Sequence, residues 1–237
     1  MIKALTLISL LIAAPVFSSS SDDVIDKEIE VFASAEEQLV QLVSSNPLNE
    51  VFVLPNENLL EMAVNGYHKL VLNKKIQKGK PLTIVDFSLP STEKRMWIID
   101  VESGIILHNS VVSHGRNSGN LMAETFSNID SSYMSSLGFY VTGETYIGKH
   151  GYSLRLDGVE KGFNDKARDR AIVIHGAEYA NEEFITATGR LGRSLGCPAL
   201  PVETSKIIID LIKDKTCLFI FGKDDDYISK SALINRA

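Results

Sequence analysis

Two segments late in the chain carry residue types suited to nucleophilic chemistry. His175 ends the apolar run "AIVIHG", and Cys197 lies further on, in the turn "GRLGRSLGCPALP". A thiol needs a base or positive surroundings to become a thiolate near neutral pH. Histidine is a suitable base because its ordinary pKa lies close to that range. The two residues therefore predict a catalytic Cys–His pair, although a lone strand-end histidine and a lone cysteine are each more often structural.

The turn around Cys197 favours the reactive interpretation. Its glycines allow backbone N–H groups to approach a substrate closely, as an oxyanion site for acyl transfer requires. Arg190 and Arg193 precede the cysteine, and cations lower the pKa of a thiol and bind carboxylates in bidentate fashion. A turn of this composition is unsuited to burying a structural cysteine.

Cys217 predicts a different environment. In "TCLFIFG" it shares one strand face with Phe219 and Phe221, which indicates a core position. A disulfide between Cys197 and Cys217 stays open as an alternative for an exported chain. No Cys or His residues show the spacing of zinc ligands, so we expect neither a metal nor another cofactor.

The elements that must position these residues are mainly strands. One helix is predicted late in the chain, in "ETSKIIIDLIKDK", with Ile207, Ile208, Leu211 and Ile212 as its buried stripe. Glu102–Gly104 predicts a tight hairpin. We therefore expect a mainly β sandwich or barrel with one late helix and an N-terminal helical segment. Seven runs predict the strands: "LTIVDFSL", "RMWIIDV", "GIILHNSVVSH", "FYVTGETYIG", "YSLRL", "RAIVIHG" and "TCLFIFG".

We expect residues 1–20 to form a secretory signal. "MIK" precedes the apolar run "ALTLISLLIAAPVF", and "SSSS" follows it, in the order typical of such signals. The run is shorter than the roughly 20 residues needed to span a bilayer. Cleavage is expected near Ser18–Ser20, which leaves an exported chain, periplasmic or extracellular, without a stable membrane anchor.

The rest of the chain divides into three parts. Residues 21–64 predict a helical segment and linker, with Ile25, Ile29, Phe32, Leu39 and Val43 along one helix. A second helix is predicted from Glu57 to about Asn73, capped by Asn56. The catalytic domain is expected over residues 65–223, with Trp97 in its core, and residues 224–237 are expected to form a mobile tail.

The overall composition is that of an ordinary globular protein. Hydrophobic residues make up 44% of the 237 residues, charged residues make up 23%, and the formal net charge is −6. The chain has no basic tract, so a nucleic-acid partner is not expected.

The sequence also resembles a known family at these residues. "IHG" followed by "SLGCPAL" is similar to the signature of the L,D-transpeptidases, most closely to the murein L,D-transpeptidase catalytic domain proteins. That subgroup has Ser-x-Gly-Cys-Pro in place of Ser-His-Gly-Cys. Further similar stretches lie between Val112 and Pro201: "VSHGRNSG", "FSN", "SSLGFY", "GETYIGKHGYSLRLDG", "NDKARDRAIVIHG" and "GRLGRSLGCPALP".

The resemblance implies an enzyme that acts on the peptide stems of peptidoglycan. Cys197 would be the nucleophile, attacking the carbonyl after the third stem residue to form a thioester. His175 would be the base, oriented by the carbonyl of Gly176. Ser194, with the backbone of Gly196 and Cys197, falls at the oxyanion region. Resolution of the thioester by an amine makes a crosslink, whereas water makes the protein a carboxypeptidase.

Other positions are weaker candidates. Leu195 stands where the commoner family pattern has histidine, and His114 is a candidate replacement or a backbone-bonded loop residue. Tyr146 and Arg155 lie on adjacent predicted strands, where they either line a cleft for stem carboxylates or form an exposed sheet face. Arg168 and Arg170 predict a solvated strand entry. A wall-binding module without chemistry remains an alternative function.

Overall fold

The computed structural model describes residues 37–235, and one twisted sheet organises them. Within this range the sheet has eight strands in the order β3-β2-β1-β8-β4-β5-β6-β7. Neighbours are antiparallel except for β1 with β8 and β6 with β7. The strands are β1 Leu82–Asp86, β2 Met96–Ile99, β3 Ile106–Ser110, β4 Gly138–Gly148, β5 Gly151–Gly158, β6 Val173–Gly176, β7 Ala199–Leu200 and β8 Cys217–Phe221.

The two edges of this sheet approach each other and nearly close it into a barrel. After β3, the chain returns to the opposite edge, where Ser113 forms an antiparallel bridge with Ala199 of β7. Gly115 forms a second bridge with Ser194. The predicted mainly β sandwich or barrel is confirmed. The sequence did not predict β7, because a two-residue strand between prolines shows no alternating pattern.

Five α-helices surround the sheet in the described residues. Three of them follow β6, whereas the sequence predicted only α4 there. The α3 helix is short and has no buried residues, but Asn181 caps its start and Gly189 ends it in the left-handed region. The helices are α1 over residues 37–45, α2 Glu57–Leu72, α3 Glu182–Thr188, α4 Val202–Ile212 and α5 Asp225–Lys230.

The α2 helix covers β1 and β8 as an amphipathic helix. Asn56 begins it as predicted, because its side-chain oxygen accepts the N–H groups of Asn58 and Leu59. Gly66 allows close packing, since a Cβ there would lie 2.0 Å from the Phe139 ring on β4. The predicted core positions of Trp97 and Cys217 are also confirmed.

The α4 helix supports the strands that carry the candidate site. It packs on β5 and β6 through Ile208, Ile209 and Ile212. Ile207 of the predicted stripe is exposed, so the buried face is rotated from the expected one. At Gly176 the helix lies so close that a Cβ would approach the Ser205 hydroxyl to 2.7 Å.

The C-terminal segment packs on the domain instead of extending as the expected tail. Tyr227 of α5 is buried, and its hydroxyl donates to the Glu160 carboxylate at 3.0 Å. The Ser231 hydroxyl also donates to Glu160, which accepts the Phe139 N–H at 2.7 Å. Burial raises the pKa of Glu160. Further on, Ile234 is buried and its carbonyl accepts from the Asn65 side chain at 3.1 Å. Contacts with Glu160 and α2 thus hold a segment whose composition resembles a solvated tail.

Two predictions concern residues before the described range. The signal at residues 1–20 and the helix positions Ile25, Ile29 and Phe32 lie outside it, while Leu39 and Val43 are buried in α1. Within residues 37–235, the helices are all too short or too polar to cross a membrane.

Candidate active site

Cys197 lies just before β7, beside the start of β6. His175 pairs with Ala199 in the parallel register, which places Cys197 opposite Val173. The Val173 N–H donates to the sulfur at 3.5 Å, and the thiol lies 3.8 Å from the carbonyl oxygen of Ala171. The residue is partly exposed. The strand edge therefore holds a thiol that is anchored by backbone groups, in a residue that is only partly buried.

The charge beside this thiol comes from Arg170. Burial raises the pKa of the Cys197 thiol, and the Val173 N–H and the Arg170 guanidinium act in the opposite direction. Arg170 is held by acceptors on the preceding loop: the carbonyls of Ser127 and Met134 at 2.7 Å, and the hydroxyls of Ser132 and Ser136. Its acceptors are all uncharged, so its positive charge can stabilise a thiolate.

His175 is oriented as a base. It is 3% exposed, and its Nδ1 lies 2.9 Å from the carbonyl oxygen of Gly176. A carbonyl only accepts, so Nδ1 carries the proton and Nε2 keeps its lone pair. Burial lowers the pKa of His175, which favours the neutral form that accepts a proton.

The sheet register brings His175 and Cys197 together. A strand spacing of about 4.8 Å and a rise of about 3.3 Å per residue place their Cα atoms roughly 8 Å apart. Two side chains of these lengths can meet across that distance. Among the hydrogen bonds of residues 37–235, none joins the imidazole to the sulfur, a situation common in enzymes without substrate.

The turn before Cys197 is held by Ser194. The Ser194 hydroxyl accepts the Gly196 N–H at 3.0 Å and donates to the Cys197 carbonyl at 2.6 Å. Gly196 has φ +121°, and a Cβ there would lie 2.8 Å from the Met134 carbonyl. The position therefore requires glycine for both its conformation and its space.

These bonds bear on the expected oxyanion donors. The Gly196 N–H is already engaged by Ser194, so Ser194 shapes the turn. The Cys197 N–H is not among the donors in the backbone hydrogen bonds of the described chain. Of the two backbone N–H groups predicted at the oxyanion region, that of Cys197 is the one available to bind an oxyanion.

The two arginines of the turn are tied to backbone. Arg193 donates to the Gly119 carbonyl at 2.8 Å and to the Arg116 carbonyl at 3.1 Å. Arg190 donates to the carbonyl of Leu191 at 2.7 Å. Both charges act on His114, where they help to lower its pKa, so these arginines brace the loop behind the cysteine.

His114 lies inside the protein and not on the substrate side. It is 0% exposed, and its Nδ1 accepts from the Arg95 guanidinium at 2.9 Å. Burial and Arg95 lower the pKa of His114 to about 4, so it is neutral at neutral pH. Its carbonyl accepts the Ser194 N–H at 2.9 Å. In this conformation His114 supports the turn from behind, while Leu195 is 58% exposed.

Tyr146 and Arg155 contact each other on β4 and β5. The Arg155 guanidinium lies 4.6 Å from the centre of the Tyr146 ring, and its Nε lies 3.0 Å from a Glu144 carboxylate oxygen. Glu144 also pairs with Arg168 at 2.9 Å. Arg168 is thus an ion-paired surface residue, and the Arg155 charge is partly neutralised by its own neighbour.

Three residues near the site were not among the sequence candidates. Arg170 was assigned to a solvated strand entry. Tyr179 follows β6 and packs on Gly192, and its pKa is raised to about 12 by burial and by the Cys197 charge. His150, in the turn between β4 and β5, stacks on His175 at 4.5 Å between ring centres. No local pattern signals these three, because each reaches the site through loop packing or strand pairing with residues distant along the chain.

The structure also bears on the Cys197–Cys217 disulfide and on metal binding. Cys197 and Cys217 are both free thiols, with Cys217 enclosed in the core and Cys197 at the sheet edge. In the described part of the chain, no three of the side chains that commonly bind metals cluster together.

The family model of the L,D-transpeptidase catalytic domain matches residues 54–221. The chain therefore belongs to this family of acyltransferases. No curated protein matches the chain.

Solved structures that match the chain include L,D-transpeptidases. One from Mycobacterium smegmatis is 11% identical, with a TM-score of 0.38 over 60% of this chain and 59% of that chain. One from Mycobacterium tuberculosis H37Rv is 14% identical, with a TM-score of 0.38 over 60% and 58%. A variant of the helical cell shape determining protein Pgp2 from Campylobacter jejuni is 17% identical, with a TM-score of 0.38 over 73% and 58%. The matched region thus spans less than two thirds of each of these chains.

Proposed function

We propose that this chain is an exported cysteine-dependent L,D-transpeptidase that acts on peptidoglycan stem peptides. One observation carries the proposal: the parallel register of β6 and β7 brings the thiol of Cys197, a partly exposed residue, within side-chain reach of His175. Family membership supports the reaction class. The motif with Leu195 two places before the cysteine supports assignment to the murein L,D-transpeptidase subgroup.

The first half of the reaction acylates Cys197. Nε2 of His175 takes the thiol proton, and the sulfur attacks the carbonyl carbon between the third stem residue and the terminal D-alanine. The C–S bond forms and the C–N bond breaks, and D-alanine leaves with the proton from the imidazolium. The Cys197 N–H donates to the oxyanion, while Val173 and Arg170 hold the thiolate before attack.

The second half releases the acyl group. An amine from another stem attacks the thioester, its proton passes to His175, the C–N bond forms and the C–S bond breaks. Water in place of the amine gives L,D-carboxypeptidase activity with the same residues. Arg190, Arg193 and Arg155 are proposed to act on stem carboxylates through their positive charge. Tyr146 is proposed to act by holding the Arg155 guanidinium against its ring, and His114 through the turn it supports.

The intermediate provides the test. Incubation with a stem tetrapeptide is expected to give an intact-mass adduct on wild-type protein that hydroxylamine removes. Cys197→Ala is expected to lose the adduct and Cys217→Ala to keep it. Protein that binds peptidoglycan but never acylates would instead be a wall-binding module. Incubation with purified muropeptides separates the two outcomes of acylation, since dimers indicate transpeptidation and trimmed monomers indicate hydrolysis.

The proposal extends to export and domain organisation. Residues 1–20 are proposed to be removed as a signal, residues 21–64 to precede the catalytic domain at 65–223, and residues 224–237 to follow it. Periplasmic or extracellular location follows from the substrate, which is the cell wall. N-terminal sequencing of the protein recovered from the envelope or the medium tests the cleavage near Ser18–Ser20.

A further inference from the structure

A second histidine contacts the base of the candidate active site. The ring of His150 lies on the ring of His175 with 4.5 Å between centres and 25° between planes. His150 is exposed, in the two-residue turn between Gly148 and Gly151 that joins β4 to β5. His175 is buried on the neighbouring strand, so an exposed imidazole covers one face of a buried one.

One hydrogen bond does not fully orient His175. The Nδ1–H bond to Gly176 sets the tautomer, but one hydrogen bond tolerates a range of tilts of the ring plane. A second contact, on the ring face, narrows this range. The stacked ring of His150 provides such a contact, with an offset-stacked spacing that aromatic rings favour.

We propose that His150 is a positioning residue: by stacking on His175, it fixes the plane of the imidazole that accepts the Cys197 proton. The inference rests on the proposed function in taking His175 as the base. His150 itself contacts neither the sulfur nor the acyl group in the proposed reaction. Its effect is to aim Nε2 and to exclude water from one face of the ring.

The contact also has an electrostatic effect. A proton on His150 opposes a proton on His175, and this repulsion acts with burial to lower the pKa of His175. Arg155 is occupied by Glu144 and Tyr146, so its charge is partly neutralised. Ionisable side chains on the elements next to the two histidines include Tyr146 on β4, Tyr152 and Arg155 on β5, Tyr179 after β6, Cys197 before β7, Lys206 and Asp210 on α4, and Lys149 in the turn itself.

Three variants separate ring, charge and turn. His150→Ala removes both the ring and its charge, His150→Phe keeps a stacking ring without charge, and Lys149→Ala changes the neighbouring turn residue. The acylation kcat and KM with a stem tetrapeptide are measured across pH. In parallel, an NMR titration of the His175 imidazole, assigned with His175→Gln, follows the base directly.

Loss of the ring is expected to lower kcat by about tenfold with little change in KM, because a misaimed base slows the chemical step. His150→Phe is expected to recover most of this loss. In both variants the His175 titration moves to higher pH, since the opposing charge is gone. Lys149→Ala is expected to leave both readouts near wild type.

The inference is overturned if His150→Ala keeps the wild-type kcat, if His150→Phe loses as much as His150→Ala, or if the His175 titration is unchanged in both. The titration does not depend on turnover. If wild-type protein never acylates, the proposed function fails, while an unchanged titration in the variants would reject the contact itself.

Discussion

Cys197 and Cys217 are both free cysteines, but they lie in two regions that affect the pKa of a thiol differently. Cys217 begins β8 in the centre of the sheet and is 0% exposed. Burial strongly raises the pKa of its thiol, and the negative charge of Glu160 raises it further. Cys197 lies at the sheet edge, where a backbone N–H and the Arg170 charge partly offset the effect of burial. The neighbours of Cys197 thus favour a thiolate more than those of Cys217 do.

The residues that surround the two thiols come from different kinds of structure, strands for Cys217 and loops for Cys197. Cys217 depends on apolar neighbours such as Phe219 and Leu82 in paired strands. Cys197 depends on residues from separate loops. Arg170, before β6, supplies a positive charge, and Ser194 donates to the Cys197 carbonyl from the same turn. The Met134 carbonyl packs against Gly196, the residue before Cys197. The candidate site thus depends on several loops at once, and changes there are expected to act on chemistry before they act on the core.

The largest expected effect comes from removing the base. His175→Gln is expected to slow acylation of Cys197 by about 10²–10⁴-fold, because proton transfer to a positioned base is lost. Quenched-flow mass spectrometry with a stem tetrapeptide measures the rate. Thermal unfolding serves as the control for folding, and a rate equal to that of wild type would show that the two thiols differ for some reason other than His175.

The next effect concerns the shape of the turn. Gly196→Ala is expected to cost about 1–3 kcal/mol of stability from backbone strain, with more added by the contact with Met134. Gly189→Ala is a matched control, because that glycine also has positive φ but meets no atoms within 4 Å. Urea unfolding and acylation are measured for both. Equal losses in the two variants would mean that space at Gly196 is not a requirement of the site.

The buried thiol has its own signature in the pH dependence of stability. Burial raises the folded-state pKa of Cys217, so the unfolded chain releases this proton first as pH rises. The stability it contributes is full below about pH 8.5 and falls above it by about 1.4 kcal/mol per pH unit. Urea unfolding is therefore measured at several pH values above about 8.5. The free energy of unfolding is expected to fall less steeply with pH for Cys217→Ala than for wild type. Identical slopes would contradict the assignment of Cys217 as a thiol buried in its neutral form.

The smallest expected effect concerns the charge beside Cys197. In a Cys217→Ala background, Arg170→Met is expected to raise the pKa of Cys197, so that alkylation by iodoacetamide near neutral pH slows severalfold. Arg170→Lys keeps the charge and is expected to restore much of the rate. Arg193→Met is the control from the turn itself, because the Arg193 charge acts on the pKa of His114, whereas the charge that lowers the pKa of Cys197 is that of Arg170. A larger slowing in Arg193→Met than in Arg170→Met would reverse the assignment.

Local patterns predicted several elements of the fold. The apolar run before His175 is a strand and the Asn56 cap begins a helix, because alternation and capping act over a few residues. The same locality explains the failures. The orientation of α4, the strand β7 and the packing of Tyr227 depend on partners far along the chain, which no short window contains.

The sequence by itself determined which residue types stand where chemistry is possible: a strand-end histidine, a cysteine in a glycine-rich turn, and a second cysteine on a core face. Those properties follow from composition and short-range pattern. Only the tertiary structure decided that Arg170, and not Arg190 or Arg193, supplies the charge at Cys197, that His114 is buried, and that His150 covers His175. Strand pairing and loop packing decide these contacts, because they join residues that are distant along the chain.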